Sequence, residues 1–277
     1  MQRRQFLIQS GAAVAATTFA NARSIAEPRF RFGTCRLNLT DAKAAGLEGI
    51  EFRSALIEGK LNLNDPAVIR EQLALMKQTE LPICSVMMGI FNAHPFATDP
   101  QAAEWLDQAI DAAAELGAGV VLVAFFGKGD LLDEQDRPKR DDIAAAVRRL
   151  KQAAPRAKEA GVVLGLENFL NGEENARILD QVNHESVQCY YDVYNTGTTK
   201  GHDVPADLEV LKGRIAQVHF KNGSKYLDDD PEKFEPIAAA IKHIGYRGWI
   251  VLETNAPSGD AVADERRNGG YLRTLFA

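Results

Sequence analysis

The sequence predicts a single domain of the α/β class, a (β/α)8 barrel, and three observations carry that prediction. Its 277 residues suit one barrel of this kind. After residue 28, short apolar runs of strand type alternate with longer helical patterns, and eight strand candidates stand out. No Gly-x-Gly-x-x-Gly follows the first of them, which argues against an open doubly wound sheet, the competing arrangement of parallel strands. Hydrophobic residues make up 45% of the chain, enough to fill a core of that size without covalent staples.

Residues 1–22 precede the fold. Arg3-Arg4-Gln5-Phe6-Leu7 forms a twin-arginine pattern, an Ala-rich run from Gly11 to Ala20 follows, and Ala20-Asn21-Ala22 fits an A-x-A cleavage site. Together they are expected to act as a twin-arginine export signal, cut near Ala22, which sends the protein to the periplasm. The run is too short to span a bilayer and nothing later approaches that length, so no stable membrane insertion is expected. The barrel domain then occupies residues 29–277.

The elements follow in order. Strand 30–36 (FRFGTCR) leads to a short helix after Thr40, and strand 49–53 (GIEFR) to a helix opened by Asp65-Pro66 and running to Thr79. The Asp is an N-cap, and the Pro fits the first helical position. Strand 82–88 (PICSVMM) precedes a loop from Gly89 to Pro95. Asp99-Pro100 then opens a helix with Trp105, Ile110 and Leu116 on one side and Gly117 as its stop. Strand 119–125 (GVVLVAF) precedes a long helix from Arg140 to Ala160, ended by Gly161. Strands 162–168 (VVLGLEN) and 186–192 (SVQCYYD) are followed by helices after Glu173 and Val204. Strand 215–222 (IAQVHFKN) leads to a helix opened by Asp230-Pro231 and stopped at Gly245. Strand 248–254 (GWIVLET) leads to a last helix after Ala261. Near-continuous apolar strands of this sort suit parallel pairing with both faces covered.

Charge and cysteine usage narrow the function. A net charge of −6 argues against nucleic acid as a partner, because phosphate backbones demand clustered Lys and Arg. Cys35, Cys84 and Cys189 each lie in an apolar run, with no C-x-x-C pair. They are expected to be buried thiols, neither a disulfide framework nor a zinc site.

In a barrel of this type the chemistry sits at the C-terminal ends of the strands. The fifth candidate ends on Glu167, the sixth on Asp192, the seventh on His219 and the eighth on Glu253. These residues stand roughly one unit apart, a unit averaging about 31 residues in such a barrel, so all four point into one mouth. One acidic residue at a strand end is often only the cap of the next helix; four ligand types in register on successive strands call for another explanation. Three crowded carboxylates repel one another, and a divalent cation relieves that repulsion. Three oxygen donors, one imidazole and no sulfur favour one hard or borderline ion, Mn²⁺ first, Mg²⁺ or Co²⁺ as alternatives, Zn²⁺ behind them.

This pattern resembles the xylose isomerase-like TIM barrels, sugar isomerases and epimerases that include D-tagatose 3-epimerase, hydroxypyruvate isomerase and inosose dehydratase. The resemblance runs from residue 29 to 275. The family's L-x-x-E-N fits Leu164 to Asn168, its D-x-x-(H/N) turn fits Asp192 to Asn195, its V-H-x-(K/R) strand fits Val218 to Lys221, and its terminal E-x fits Glu253-Thr254. The resemblance implies that Glu167, Asp192, His219 and Glu253 bind one Mn²⁺, Mg²⁺ or Co²⁺. The ketose 3-epimerase branch further implies substrate contacts from Glu173 and Lys225, and usually has His where this chain has Asn195. Lys221 and Asn195 join the expected substrate contacts. Glu51, taken as the end of the second strand, is a further pocket candidate with helix capping as its competing role. His94, in the loop after the third strand, could reach substrate, although a lone loop His is more often a surface group.

A metal so held polarises a carbonyl and acidifies the neighbouring C–H. Glu167 and Glu253 would flank that carbon as general base and acid, with a cis-enediolate between the two proton transfers. The expected function is a metal-dependent isomerase or epimerase of a neutral carbonyl sugar or cyclitol. The alternative is a β-eliminating lyase or hydrolase of 3-keto-glycosides, or an inosose-type dehydratase, since one site serves all these chemistries. Weaker readings are a non-catalytic periplasmic sugar-binding protein, which needs no carboxylate quartet, and an apurinic endonuclease-like phosphodiesterase, which needs more His than the five present. The expected partner is a small carbohydrate, and a homodimer is left open.

Overall fold

The computed structural model describes residues 30–255 and 257–277; the expected signal, residues 1–22, lies outside them. Eight parallel strands close on themselves: β1 (Arg31–Thr34), β2 (Gly49–Arg53), β3 (Ile83–Met88), β4 (Val120–Ala124), β5 (Val163–Glu167), β6 (Val187–Asp192), β7 (Ile215–Phe220) and β8 (Trp249–Leu252). Neighbours in space are neighbours in sequence. The last strand returns to the first, with Gly33 opposite Val251 and Thr34 opposite Leu252. Parallel neighbours require a crossover, supplied by α1 (Leu39–Ala45), α2 (Pro66–Thr79), α3 (Ala102–Leu116), α4 (Arg140–Glu159), α5 (Gly172–Val182), α6 (Val204–Val210) and α7 (Pro231–His243). The last helix, α8 (Ala261–Leu275), covers the seam. The chain is therefore the single-domain barrel that the sequence predicts. No helix among the described residues is long and apolar enough to cross a membrane.

Local chemistry sets the helix starts. Asp65 accepts the Ala67 amide at 2.8 Å with Pro66 behind it, and Asn38, Asn171, Asp203 and Asp260 cap α1, α5, α6 and α8 the same way. Two starts differ from expectation. Asp99 turns its carboxylate onto the Gln101 amide, so the chain makes a turn first and α3 begins at Ala102. The first helix begins at Leu39, because Asn38 rather than Thr40 is its cap. A short hairpin, Leu56–Ile57 against Lys60–Leu61, has no counterpart in the sequence pattern, since two-residue strands leave no periodicity.

Strand parity sorts the apolar side chains into two cores. In β4, Val121 and Val123 pack under the helices. Val120, Leu122 and Ala124 face inward with Cys35, Cys84, Met87, Tyr190 and Val251. All three cysteines are free and buried, as expected. At the N-terminal end of the barrel, Trp249 lies across Gly49. A Cβ there would stand 2.7 Å from the indole and 2.8 Å from the Pro82 carbonyl, so only glycine lets the ring plug that end. Above this apolar layer the interior turns polar. Glu51, Ser85, Glu167, Tyr190, Asp192, Gln217 and His219 are all buried.

Candidate metal centre

The strand ends bring four side chains together. Glu167 and Asp192 close β5 and β6, His219 is the penultimate residue of β7, and Glu253 is the first residue after β8. The Glu253 amide still bonds the Phe220 carbonyl at 3.0 Å, so the ladder fixes its direction. One ligand atom from each of the four lies within 4.8 Å of the others. His219 Nδ1 is 3.0 Å from Glu167 Oε1, 3.8 Å from Glu253 Oε2 and 3.9 Å from Asp192 Oδ2.

Asp192 supplies the test of whether these residues suit a cation. The backbone amides of Tyr194 and Asn195 donate to its Oδ1 at 2.8 and 2.7 Å, which pins the carboxylate. Its Oδ2 is buried and has no hydrogen-bond partner; Lys221 Nζ stands 2.9 Å away without the alignment of a hydrogen bond. This buried oxygen, with no hydrogen bond and sharing a single ammonium's field with Glu253, has room for a second cation at the centre of the quartet. The four donors, three carboxylate oxygens and one imidazole nitrogen, are the kinds that would hold a single hard or borderline divalent ion.

Electrostatics divide the roles. Burial pushes the Glu167 carboxyl up to about 7, against the pull of His219 and with the help of the Glu253 and Asp192 charges. Burial works in the same direction on Glu253, yet His219 and Lys221 outweigh it and hold that carboxyl below its ordinary value. Burial also disfavours a charge on His219, but the carboxylates of Glu167 and Glu51 prevail and keep the ring's pKa well above normal. Lys221 is raised as well, because Asp192, Glu253 and Glu167 overcome its desolvation.

The remaining predicted residues fall into three groups. Lys221 sits inside the cluster, its Nζ 2.6 Å from Glu253 Oε2. Asn195 is buried beside Asp192. Glu51 needs a correction: it lies in the middle of β2, not at its end. It accepts Ser85 Oγ at 2.7 Å and Tyr190 OH at 2.9 Å, and meets His219 Nε2 at 3.0 Å. Its carboxylate is engaged by these three groups below the quartet. Glu173, Lys225 and His94 are not brought into the site. Glu173 is exposed and pairs with Arg177 at 3.2 Å, and Lys225 pairs with Asp230 at 2.9 Å. His94 meets Asp99 at 3.1 Å and packs edge-on against Trp105. Local ion pairs compete for each of these three.

Sequence reasoning missed Ser85, Tyr190 and Gln217. Strand parity was the available signal, because Tyr190 shares a face with Asp192 and Gln217 with His219. The four ligands occupy the β5–β8 half of the mouth. A cavity of about 590 Å³ opens beside β1 and β2 and reaches α2, bordered by Cys35, Arg36, Glu51, Arg53 and Glu71, with none of the quartet in its lining.

Comparison with known proteins agrees with this architecture. The family model described as xylose isomerase-like TIM barrel matches residues 39–275. A protein of Escherichia coli (strain K12) provisionally named an L-ribulose-5-phosphate 3-epimerase is 24% identical over 235 residues, covering 76% of this chain and 80% of that one. Among solved structures, a D-allulose 3-epimerase from Methylomonas sp. in complex with D-allulose superposes with a TM-score of 0.71 at 19% identity, over 90% of this chain and 98% of that one. A 3-keto-D-glucoside 4-epimerase from E. coli superposes with a TM-score of 0.72 at 18% identity, over 89% of this chain and 100% of that one.

Proposed function

Because the chain belongs to the xylose isomerase-like TIM barrel family, we propose that it is a divalent-metal-dependent sugar isomerase or epimerase that moves a proton at the carbon beside a carbonyl. The single observation that carries this reading is the quartet, with the Asp192 carboxylate pinned through Oδ1 and its Oδ2 without a hydrogen bond. Glu167, Asp192, His219 and Glu253 would hold the ion, Mn²⁺ first and Mg²⁺ or Co²⁺ as alternatives. When bound, such an ion polarises a carbonyl oxygen and lowers the pKa of the adjacent C–H.

The protein's own groups supply the rest. Glu167 and Glu253 face the same space from β5 and β8. One takes the proton from carbon and the other returns one, through a cis-enediolate of the substrate. Asp192 and His219 bind without exchanging protons with the substrate. Lys221 holds Glu253 in place and offers a donor to a substrate oxygen. The cavity beside β1 and β2, which Glu51 borders, is the space on this side of the barrel where a sugar would approach the quartet. The names of the relatives support a sugar substrate, taken here as a neutral carbonyl sugar or cyclitol. The twin-arginine pattern supports a periplasmic address.

The test is wash-in of solvent deuterium. Mature protein loaded with Mn²⁺ is incubated in D2O with ketoses, 3-keto-glycosides and inososes, and carbon-bound deuterium is read by mass spectrometry. Exchange with return of an epimer or isomer is the expected result. Release of an aglycone or of water assigns the site to β-elimination, and no exchange with any substrate refutes the proposal.

A further inference from the structure

His219 uses both of its ring nitrogens, and only one of them faces the quartet. Nδ1 points at Glu167, Glu253 and Asp192. Nε2 points the other way, 3.0 Å from Glu51 Oε1. A neutral imidazole that offers a lone pair from Nδ1 must carry its proton on Nε2, and a buried N–H needs an acceptor.

The surroundings of Glu51 agree with its acting as the acceptor. Gln217 Nε2 has two hydrogens and uses one on Ser85 Oγ at 2.8 Å and the other on Tyr190 OH at 2.9 Å. Each hydroxyl has then accepted a bond and turns its own hydrogen onto Glu51 Oε2, at 2.7 and 2.9 Å. One oxygen of Glu51 is filled by two donors, and the carboxylate is left as an acceptor at Oε1. Every member of this chain is buried, so no solvent competes. The chain joins β2, β3, β6 and β7 beneath the quartet.

We propose that Glu51 is a positioning residue for the metal centre: by accepting the proton on Nε2 it locks His219 in the tautomer whose Nδ1 lone pair faces the ion. This role rests on the metal-dependent reading above. It differs from the substrate contact expected of Glu51, because the side chain would act through His219. A rival exists on the same face. Cys35, Glu51 and the second nitrogen of His219 also lie within 4.8 Å of one another and could in principle hold a cation of their own. That arrangement requires Nε2 to be stripped of its proton, so the two readings exclude each other.

The discriminating variant is Glu51→Gln. Its amide either turns NH2 toward the two hydroxyl donors, or turns it toward Nε2 and forces the proton onto Nδ1; neither orientation satisfies both sides. Metal-stripped wild type and Glu51→Gln are titrated with Mn²⁺ by calorimetry. The expected loss of affinity is roughly 10- to 100-fold, the range for removing a partner of a metal-bound His. A second measurement needs no variant. Nitrogen-15 NMR of histidine-labelled wild type loaded with Mg²⁺ is expected to show His219 protonated on Nε2.

Wild-type Mn²⁺ affinity in folded Glu51→Gln, or a proton on Nδ1 in the loaded wild type, overturns the role of Glu51. Binding of two Co²⁺ per chain with a thiolate-to-cobalt absorption band overturns it in favour of the Cys35 site. Wild type that takes up no divalent ion overturns the metal centre itself, a distinct result from either of those.

Discussion

Glu265 turns burial into a measurable pH dependence. Helix α8 places this carboxyl at 2% exposure, against the hydroxyls of Thr254 and Thr34. Burial pushes its pKa from 4.5 up to about 7. An acid with a raised folded pKa binds its proton more tightly in the folded state. Its contribution is therefore most favourable below the unfolded value and is lost as pH climbs through the folded one. A rise of this size corresponds to about 3 kcal/mol, of which about 2.5 kcal/mol falls between pH 5 and pH 8. Replacing the carboxyl with an amide, Glu265→Gln, removes the titration and keeps the shape. Urea unfolding of both proteins at the two pH values, with chelator present throughout, isolates this group, because the quartet titrates alike in each. The variant is expected to gain about 2–3 kcal/mol on wild type between pH 5 and pH 8, or roughly 5–10 °C in Tm. A wild-type-to-variant difference that is the same at both pH values would refute the assignment of a buried, protonated Glu265.

Four further outcomes are expected. Saturation of metal-stripped protein with Mn²⁺ at 100 times its Kd should add about 2.7 kcal/mol of stability, read as a rise in Tm that EDTA reverses; an unchanged Tm removes the metal centre. Glu167→Gln and Glu253→Gln should each slow carbon–hydrogen exchange by about 100-fold or more while the fold is retained, checked by circular dichroism and deuterium wash-in. Lys221→Met should tighten Mn²⁺ binding by about tenfold, because a competing ammonium leaves Asp192 and Glu253; calorimetry showing equal affinity contradicts that competition. His94→Ala, Glu173→Gln and Lys225→Met should each change kcat/KM by less than about threefold, as expected of residues spent on surface ion pairs. A loss above tenfold in any of them would mean that its loop reaches the substrate.

The legible parts of this chain were those where one chemical signal dominates. Asp65-Pro66 and Asp230-Pro231 mark helix starts because proline tolerates little else, and both helices begin at that proline. The quartet was readable because acidic and imidazole groups that follow runs such as Leu164-Gly165-Leu166 have no apolar use. Glu51 was misplaced for a reason of parity: the strand was read by its ends, whereas the side chain's direction depends on its place within β2. Glu173 and Lys225 sit at conserved-looking spacings, yet their directions are decided by Arg177 and Asp230, partners that spacing does not reveal. The hairpin at Leu56–Leu61 is held by a few backbone bonds and carries no pattern long enough to detect.

The chain of hydrogen bonds under His219 bears on how the barrel assembles. Glu51 and Ser85 come from the second and third strands and can meet early. Tyr190, Gln217 and His219 arrive only with the sixth and seventh, and the Glu51–His219 bond spans 168 residues. A nascent barrel that stopped after four strands would leave Glu51 with Ser85 alone of its present partners and otherwise open to water. Completion of the ring takes that carboxylate out of water and supplies its remaining donors, Tyr190 and His219, in the same step. Closure therefore draws cooperativity from polar groups as well as apolar ones, which favours all-or-none assembly over stable half-barrels.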